Sequence, residues 1–199
     1  MPTVKKSNRN TIDVQRQRLL DGVVNVVAQD GMSGLSMRAV ADYAGEKEMY
    51  LYRFFDSKTT MLSETFLRSD RDIVDKIVSE YAEIKDVNLP FRDRLNRLLD
   101  NCWQYAIEAR DTGVFYVRYY YSKFLTPAIR ARHDANLSEV ADAVRSQFPI
   151  TTDVDYLVNF LFTAFLARFM DFSSGAIEDN EKTRNQFYRM LCKIIVSYK

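Results

Sequence analysis

An all-α protein of about nine helices is what this chain predicts, with three short helices at the front and a larger helical body behind. Three observations carry that expectation. Apolar residues recur at helical spacing in nearly every segment, and strand-like alternation is weak throughout. Only 6 Gly and 4 Pro in 199 residues leave little material for the turns of a many-stranded architecture. The 47% hydrophobic and 28% charged shares fit a globular chain, as one compact unit or a small module fused to a larger one.

The elements follow in order. Met1 to Asn10 read as a polar tail carrying Lys5, Lys6 and Arg9. A first helix repeats Leu20, Val23, Val24, Val27 and Ala28, and Asp30-Gly31 ends it, because glycine accepts the left-handed closing conformation. Ser36 caps a short second helix with Met37, Val40 and Ala41 facing inward. Gly45 makes a tight turn, and Leu51, Phe54 and Phe55 anchor a third helix on the first two. From Thr59 to about Lys85 a long amphipathic helix carries Leu62, Phe66, Ile73, Ile77, Val78 and Tyr81. "NLP" breaks the chain before a helix with Leu95, Leu98, Leu99, Cys102 and Ala106 on one side. Asp111-Thr112-Gly113 predicts a further interruption ahead of "VFYVRYYYSKFL". Pro127 suits the first turn of the next helix, which ends near Phe148-Pro149. Two last helices, "VDYLVNFLFTAFLARFMDF" and "KTRNQFYRMLCKIIVSY", are separated by the polar "SSGAIEDNE".

Several function classes lose support at this level. Net charge is +1, so nucleic-acid binding has to rest on local charge. Cys102 and Cys192 lack metal-ligand spacing and read as buried, reduced thiols of a cytoplasmic protein. The single histidine, His133, sits in "RARHDANLSEV" and reads as solvent-facing, so neither cysteine has an activating base. No glycine-rich phosphate loop and no metal cluster stands out, which predicts a non-enzyme with no catalytic residues, no cofactor and no metal. No apolar core follows the N-terminal basic residues, so no secretory signal is expected. "FLFTAFLA", bounded by Asn159 and Arg168, is too short to span a bilayer, so no membrane role is expected either.

The stretch "RLLDGVVNVVAQDGMSGLSMRAVADYAGEKEMYLYRFFDSKTTML" resembles the TetR family of bacterial repressors. The resemblance rests on the helix ending in "DG", on "LSMRAVADYAG" and on "LYRFFDSK", with gap-free spacing between them. It covers the first third of the chain; beyond it only the helical layout is similar. The resemblance implies a homodimer with two DNA-reading heads and a ligand-sensing body that releases the operator when a small molecule binds. It divides the chain into residues 1–58, an arm and helix-turn-helix DNA-binding domain, and residues 59–199, a ligand-binding and dimerisation domain. On the same resemblance Ser36 and Arg38 contact phosphate, Lys47, Glu48, Met49 and Tyr50 face base edges, and Tyr52 and Lys58 hold the backbone.

This sequence departs from the family at Glu46, usually small and apolar, and at Lys47, usually a serine or threonine cap. Glu48 either accepts from cytosine N4 or repels phosphates. Two readings therefore stay open: an operator-binding repressor, and an interaction protein with a degenerate recognition helix that works through a protein partner. The first twenty residues, with Lys5, Lys6, Arg9, Arg16 and Arg18 against Asp13, form either a basic DNA-attracting arm of net +4 or an ordinary solvated tail.

Aromatic crowding marks the body. Trp103, Tyr116, Tyr119, Tyr120 and Phe165 are candidates for an apolar, aromatic effector pocket, since several tyrosines could give it polar handles. Arg118 and Arg168 are either ion-pair residues or counter-charges for an anionic ligand. The apolar Leu157, Phe160, Leu161, Phe162, Phe165 and Phe169, with Leu191, Ile194, Ile195 and Tyr198, predict a two-fold dimer through a four-helix bundle of the last two helices.

Overall fold

The structure, a computed structural model, describes the backbone of residues 4–198 and the side chains from Ile12 onward. Among the described residues the chain is helical, with no strand: α1 (Val4–Gly34), α2 (Met37–Ala44), α3 (Glu48–Phe54), α4 (Lys58–Ile84), α5 (Phe91–Glu108), α6 (Arg110–Tyr120), α7 (Pro127–Val144), α8 (Val154–Ser173) and α9 (Glu181–Ser197). A 3-10 turn at Arg145–Gln147 extends α7.

The caps are those the side chains dictate. Ser36, Ser57, Thr126, Asp153 and Asn180 each accept a backbone N–H three residues on, at the starts of α2, α4, α7, α8 and α9. Gly45 closes α2 at φ 66, and Gly31 breaks α1 at φ 75, both in the left-handed region.

Two expectations are corrected. The polar tail is helical from Val4, since no proline or glycine between Thr3 and Gly22 interrupts the pattern. The side chains of Lys5, Lys6 and Arg9 lie outside the described residues, so the basic arm is not placed. The expected break at Asp111-Thr112-Gly113 also fails. The break falls at Ala109, and α6 runs through Gly113 because Phe169 of α8 packs there; a Cβ would lie 2.5 Å from its ring.

α1 packs on α2 and on α6, while α4 packs on α5 and α7, and α7 on α8. One continuous hydrophobic core, from Leu19 through Phe55 and Phe66 to Tyr116 and Phe169, therefore joins the front module to the body.

Candidate functional site

The first candidate surface is the exposed side of α2 and α3. Leu51 and Phe55 bury the opposite side of α3, and this leaves Met49 (69% exposed) and Tyr52 (60%) in solvent beside Lys47, Glu48 and Arg53. Tyr50 is half-buried. Ser36 Oγ accepts from Ala39 N at 3.0 Å, and its own hydroxyl proton remains available to an anion. Arg38 is exposed and lies 3.7 Å from Asp42. Lys58 does not stand free: its ammonium donates to the carbonyl of Leu35, tying the start of α4 to the loop before α2, with two further protons left over.

The acidic residues divide. Glu46 is half-buried and takes a hydrogen bond from Gln15 of α1 (3.4 Å), so it closes the turn as a polar plug. Lys47, the N-cap of α3, makes no side-chain cap. Glu48 stays on the exposed side, where the Tyr52 hydroxyl donates to it at 3.5 Å. Arg16, counted with the basic arm, is held by Glu64 and stacks over Phe55 at 5.6 Å. Tyr43 and Arg53 are exposed beside the expected contacts and were not singled out from sequence. Counting i, i+3 and i+4 from Met49 would have found Arg53.

The second candidate is a cavity of about 220 Å³ in the body. Its walls come from α4 (Ile73, Ile77, Tyr81), α5 (Leu95, Leu98, Cys102), α6 (Gly113, Tyr116), α7 (Val140, Val144), α8 (Leu161, Phe165, Phe169) and α9 (Ile195). Of the sequence candidates it gathers Tyr116 and Phe165. Trp103 lies behind Phe165, rings 5.5 Å apart, and donates its indole N–H to Asp179 at 2.9 Å. Tyr119 is buried against Phe66 and shares a 3.0 Å hydrogen bond with Ser63. Tyr120 accepts from Arg130 at 2.6 Å. Arg168 lies 3.8 Å from Asp171, away from the lining. The missed wall residues form helical stripes that core packing would also produce, so sequence offers no signal that separates the two.

Behind Tyr116 lies a buried polar cluster. Asp70 of α4 accepts from the Tyr116 hydroxyl (2.6 Å), His133 Nδ1 (2.7 Å) and Asn136 Nδ2 (2.7 Å). His133 is thus fully buried, against expectation: its imidazole fills the space between Tyr120 and Phe162 because Asp70 needs donors. Its Nε2 has no partner among the described residues. Burial, followed by the charge of Asp70, holds the Tyr116 hydroxyl well above its ordinary pKa, so it stays a donor. Burial also pushes the Cys102 thiol up to about 12, which leaves it unreactive.

Arg118, two residues beyond Tyr116, points the other way. Its guanidinium donates to the carbonyls of Val27 and, at 3.1 Å, Ala28, near the break at Gly31 where α1 runs out of donors. It is a helix-end clasp between body and front module, not a counter-charge in the cavity.

On the outward side of α8 and α9 the dimer expectation is partly corrected. Leu157, Phe162, Phe169, Leu191 and Ile195 are buried within the chain, leaving Tyr156, Phe160, Met190, Val196 and Tyr198 exposed.

Residues 19–65 match the model of the bacterial regulatory proteins of the tetR family. A curated relative, the HTH-type transcriptional repressor KstR2 of Rhodococcus jostii (strain RHA1), is 32% identical over 100 residues, 50% of this chain and 47% of its own length. The match thus spans about half of that relative. Solved structures share the fold over most of the chain. A TetR-family regulator from Marinobacter aquaeolei VT8 aligns with TM-score 0.75 and 20% identity over 93% of this chain and 97% of its own. The fatty acid degradation regulator FadR of Bacillus halodurans aligns with TM-score 0.67 and 14% identity over 88% and 97%.

Proposed function

We propose that this chain is an effector-released repressor of the TetR family of bacterial transcriptional regulators, the family its front module matches. In this reading residues 1–58 bind a palindromic operator and residues 59–199 bind a small apolar or aromatic effector and pair two copies. Ser36 and Arg38 contact phosphate, Lys58 positions the backbone-facing loop and adds its charge, and Tyr52 packs on the sugar-phosphate edge. Lys47, Glu48, Met49 and Tyr50 present the base-reading end of α3. The exposed Tyr156, Phe160, Met190 and Val196 on α8 and α9 form the dimer face.

One observation carries the proposal. Tyr116, whose ring lines the cavity, and Arg118, which holds the end of α1, are two residues apart on one short helix. A ligand that shifts Tyr116 therefore shifts the clasp on the helix that backs the DNA-facing module. Repression is favoured over activation by the relative's name, that of a transcriptional repressor.

Selection from random duplex DNA tests the operator half of this reading. The expected result is a palindrome bound by two chains, with affinity falling steeply as salt rises. Glu48→Ala relaxes the preference at one base pair by about 1–3 kcal/mol. Uniformly tighter binding of Glu48→Ala to every sequence would make this glutamate a repulsive charge and return the partner-protein reading to the front.

A further inference from the structure

We infer that the cavity takes a linear amphiphile, with an extended hydrocarbon chain inside and an anionic head, carboxylate or phosphate, held by Lys85 and Arg94. The inference rests on the effector reading of the cavity and names the chemistry that reading leaves open.

Shape is the first argument. The lining residues of α4 run from Ile73 to Lys85, twelve residue steps or about 18 Å along the helix axis. A volume of about 220 Å³ spread over that length is a slender channel. It is also small beside the ~300–1,000 Å³ typical of ligand pockets. An extended chain suits it better than a bulky ring system.

Charge is the second argument. The inner end, at Tyr116, Leu166 and Phe169, is fully buried, and the outer end, at Tyr81, Arg94 and Gln147, is half-exposed. Three cations line the cavity: Lys76, Lys85 and Arg94. Lys76 is committed to Glu80 at 2.5 Å. Lys85 and Arg94 have no carboxylate within ion-pair distance among the described residues, although Asp86 is next in sequence. One guanidinium nitrogen of Arg94 donates to the Lys85 carbonyl at 2.7 Å, which brings the two residues together at the junction of α4 and α5. The other donors of that guanidinium are available to an anion.

The inner end excludes the opposite orientation. Asp70 stands directly behind Tyr116 and already accepts three hydrogen bonds. An anion placed there would face a buried carboxylate with no donor to spare, so the chain goes in first and the head stays at Lys85 and Arg94.

The test is binding of sodium laurate to the full-length protein by calorimetry, with dodecanol, dodecyl phosphate and cholate as comparators. Laurate or dodecyl phosphate, whichever head is recognised, should bind at least tenfold more tightly than dodecanol, and cholate should bind worse than either. Affinity should rise about fourfold per methylene along the fatty acid series until the chain meets the floor. Lys85→Gln and Arg94→Gln should each weaken the anionic ligand about tenfold and leave dodecanol unchanged. Glutamine at 94 keeps a donor for the Lys85 carbonyl, and thermal unfolding of the free variants checks that the fold is intact. Equal affinity for dodecanol and laurate, indifference to both substitutions, preference for cholate, or no binding by any of the four would each overturn the inference. A parallel operator-release assay separates the two readings. Laurate that binds as described without releasing DNA would count against the repressor mechanism and leave the ligand assignment standing.

Discussion

Replacing Arg118 by alanine tests the connection between body and DNA-facing module. The guanidinium makes two charge-assisted hydrogen bonds to the carbonyls of Val27 and Ala28, both through one nitrogen. Hydrogen bonds to charged groups contribute about 1.5–3 kcal/mol each, but a shared donor counts for less than two full bonds. The side chain is half-buried, so water can reach the vacated carbonyls and offset part of the loss. The expected cost is therefore about 2 kcal/mol in urea unfolding at fixed protein concentration. For a chain of this size that is a fall in Tm of roughly 4–8 °C. Arg118→Lys, which keeps a charge and a donor near the helix end, should recover about half of the loss. Hydrogen exchange localises the effect: amides in the second half of α1 should exchange faster, while those of α9 stay protected. A change within about 0.5 kcal/mol, the ordinary range for a surface substitution, would refute the clasp.

Two further perturbations follow from the cavity. Gly113→Ala gains about 1 kcal/mol of helix propensity but drives a methyl into the Phe169 ring, at a cost of about 1–3 kcal/mol for overpacking. Denaturant unfolding should show a net loss of up to about 2 kcal/mol, and a stabilised variant would mean that the ring moves freely. The raised Cys102 thiol works through linkage: the folded state holds its proton more tightly than the unfolded one. That stability is present below the unfolded value of about 9 and is lost as pH rises towards about 12. The loss of stability between these pH values should flatten in Cys102→Ala, and alkylation of Cys102 at pH 8 should be slow in the native chain; rapid labelling there would contradict the raised thiol pKa.

The front of the molecule was legible because its signals are local. Ser36 caps, Gly45 turns, and Leu51 and Phe55 bury, each within one or two turns of its neighbours. Gly113 misled because glycine has two uses: it breaks helices, and it admits a close neighbour. Which use applies depends on Phe169, 56 residues away and invisible to a local window. Tyr116 and Phe165 line the cavity, while Trp103, Tyr119 and Tyr120, raised by the same aromatic density, lie outside its lining.

His133 and Arg118 show what sequence patterning cannot carry. A histidine in a charged stretch reads as exposed unless the position of a buried Asp70, 63 residues earlier, is known. A lone arginine among tyrosines reads either as an ion-pair residue or as a ligand counter-charge until the end of α1 is known to lie against it. In both cases the partner in the fold is a polar group that folding would otherwise strand without a hydrogen bond. The same accounting reverses at Lys85 and Arg94. Folding gives Lys76 its carboxylate and, among the described residues, gives these two no ion-pair partner. Where every other charge in the cavity wall is answered from within the chain, the unanswered pair is where an external anion has most to gain.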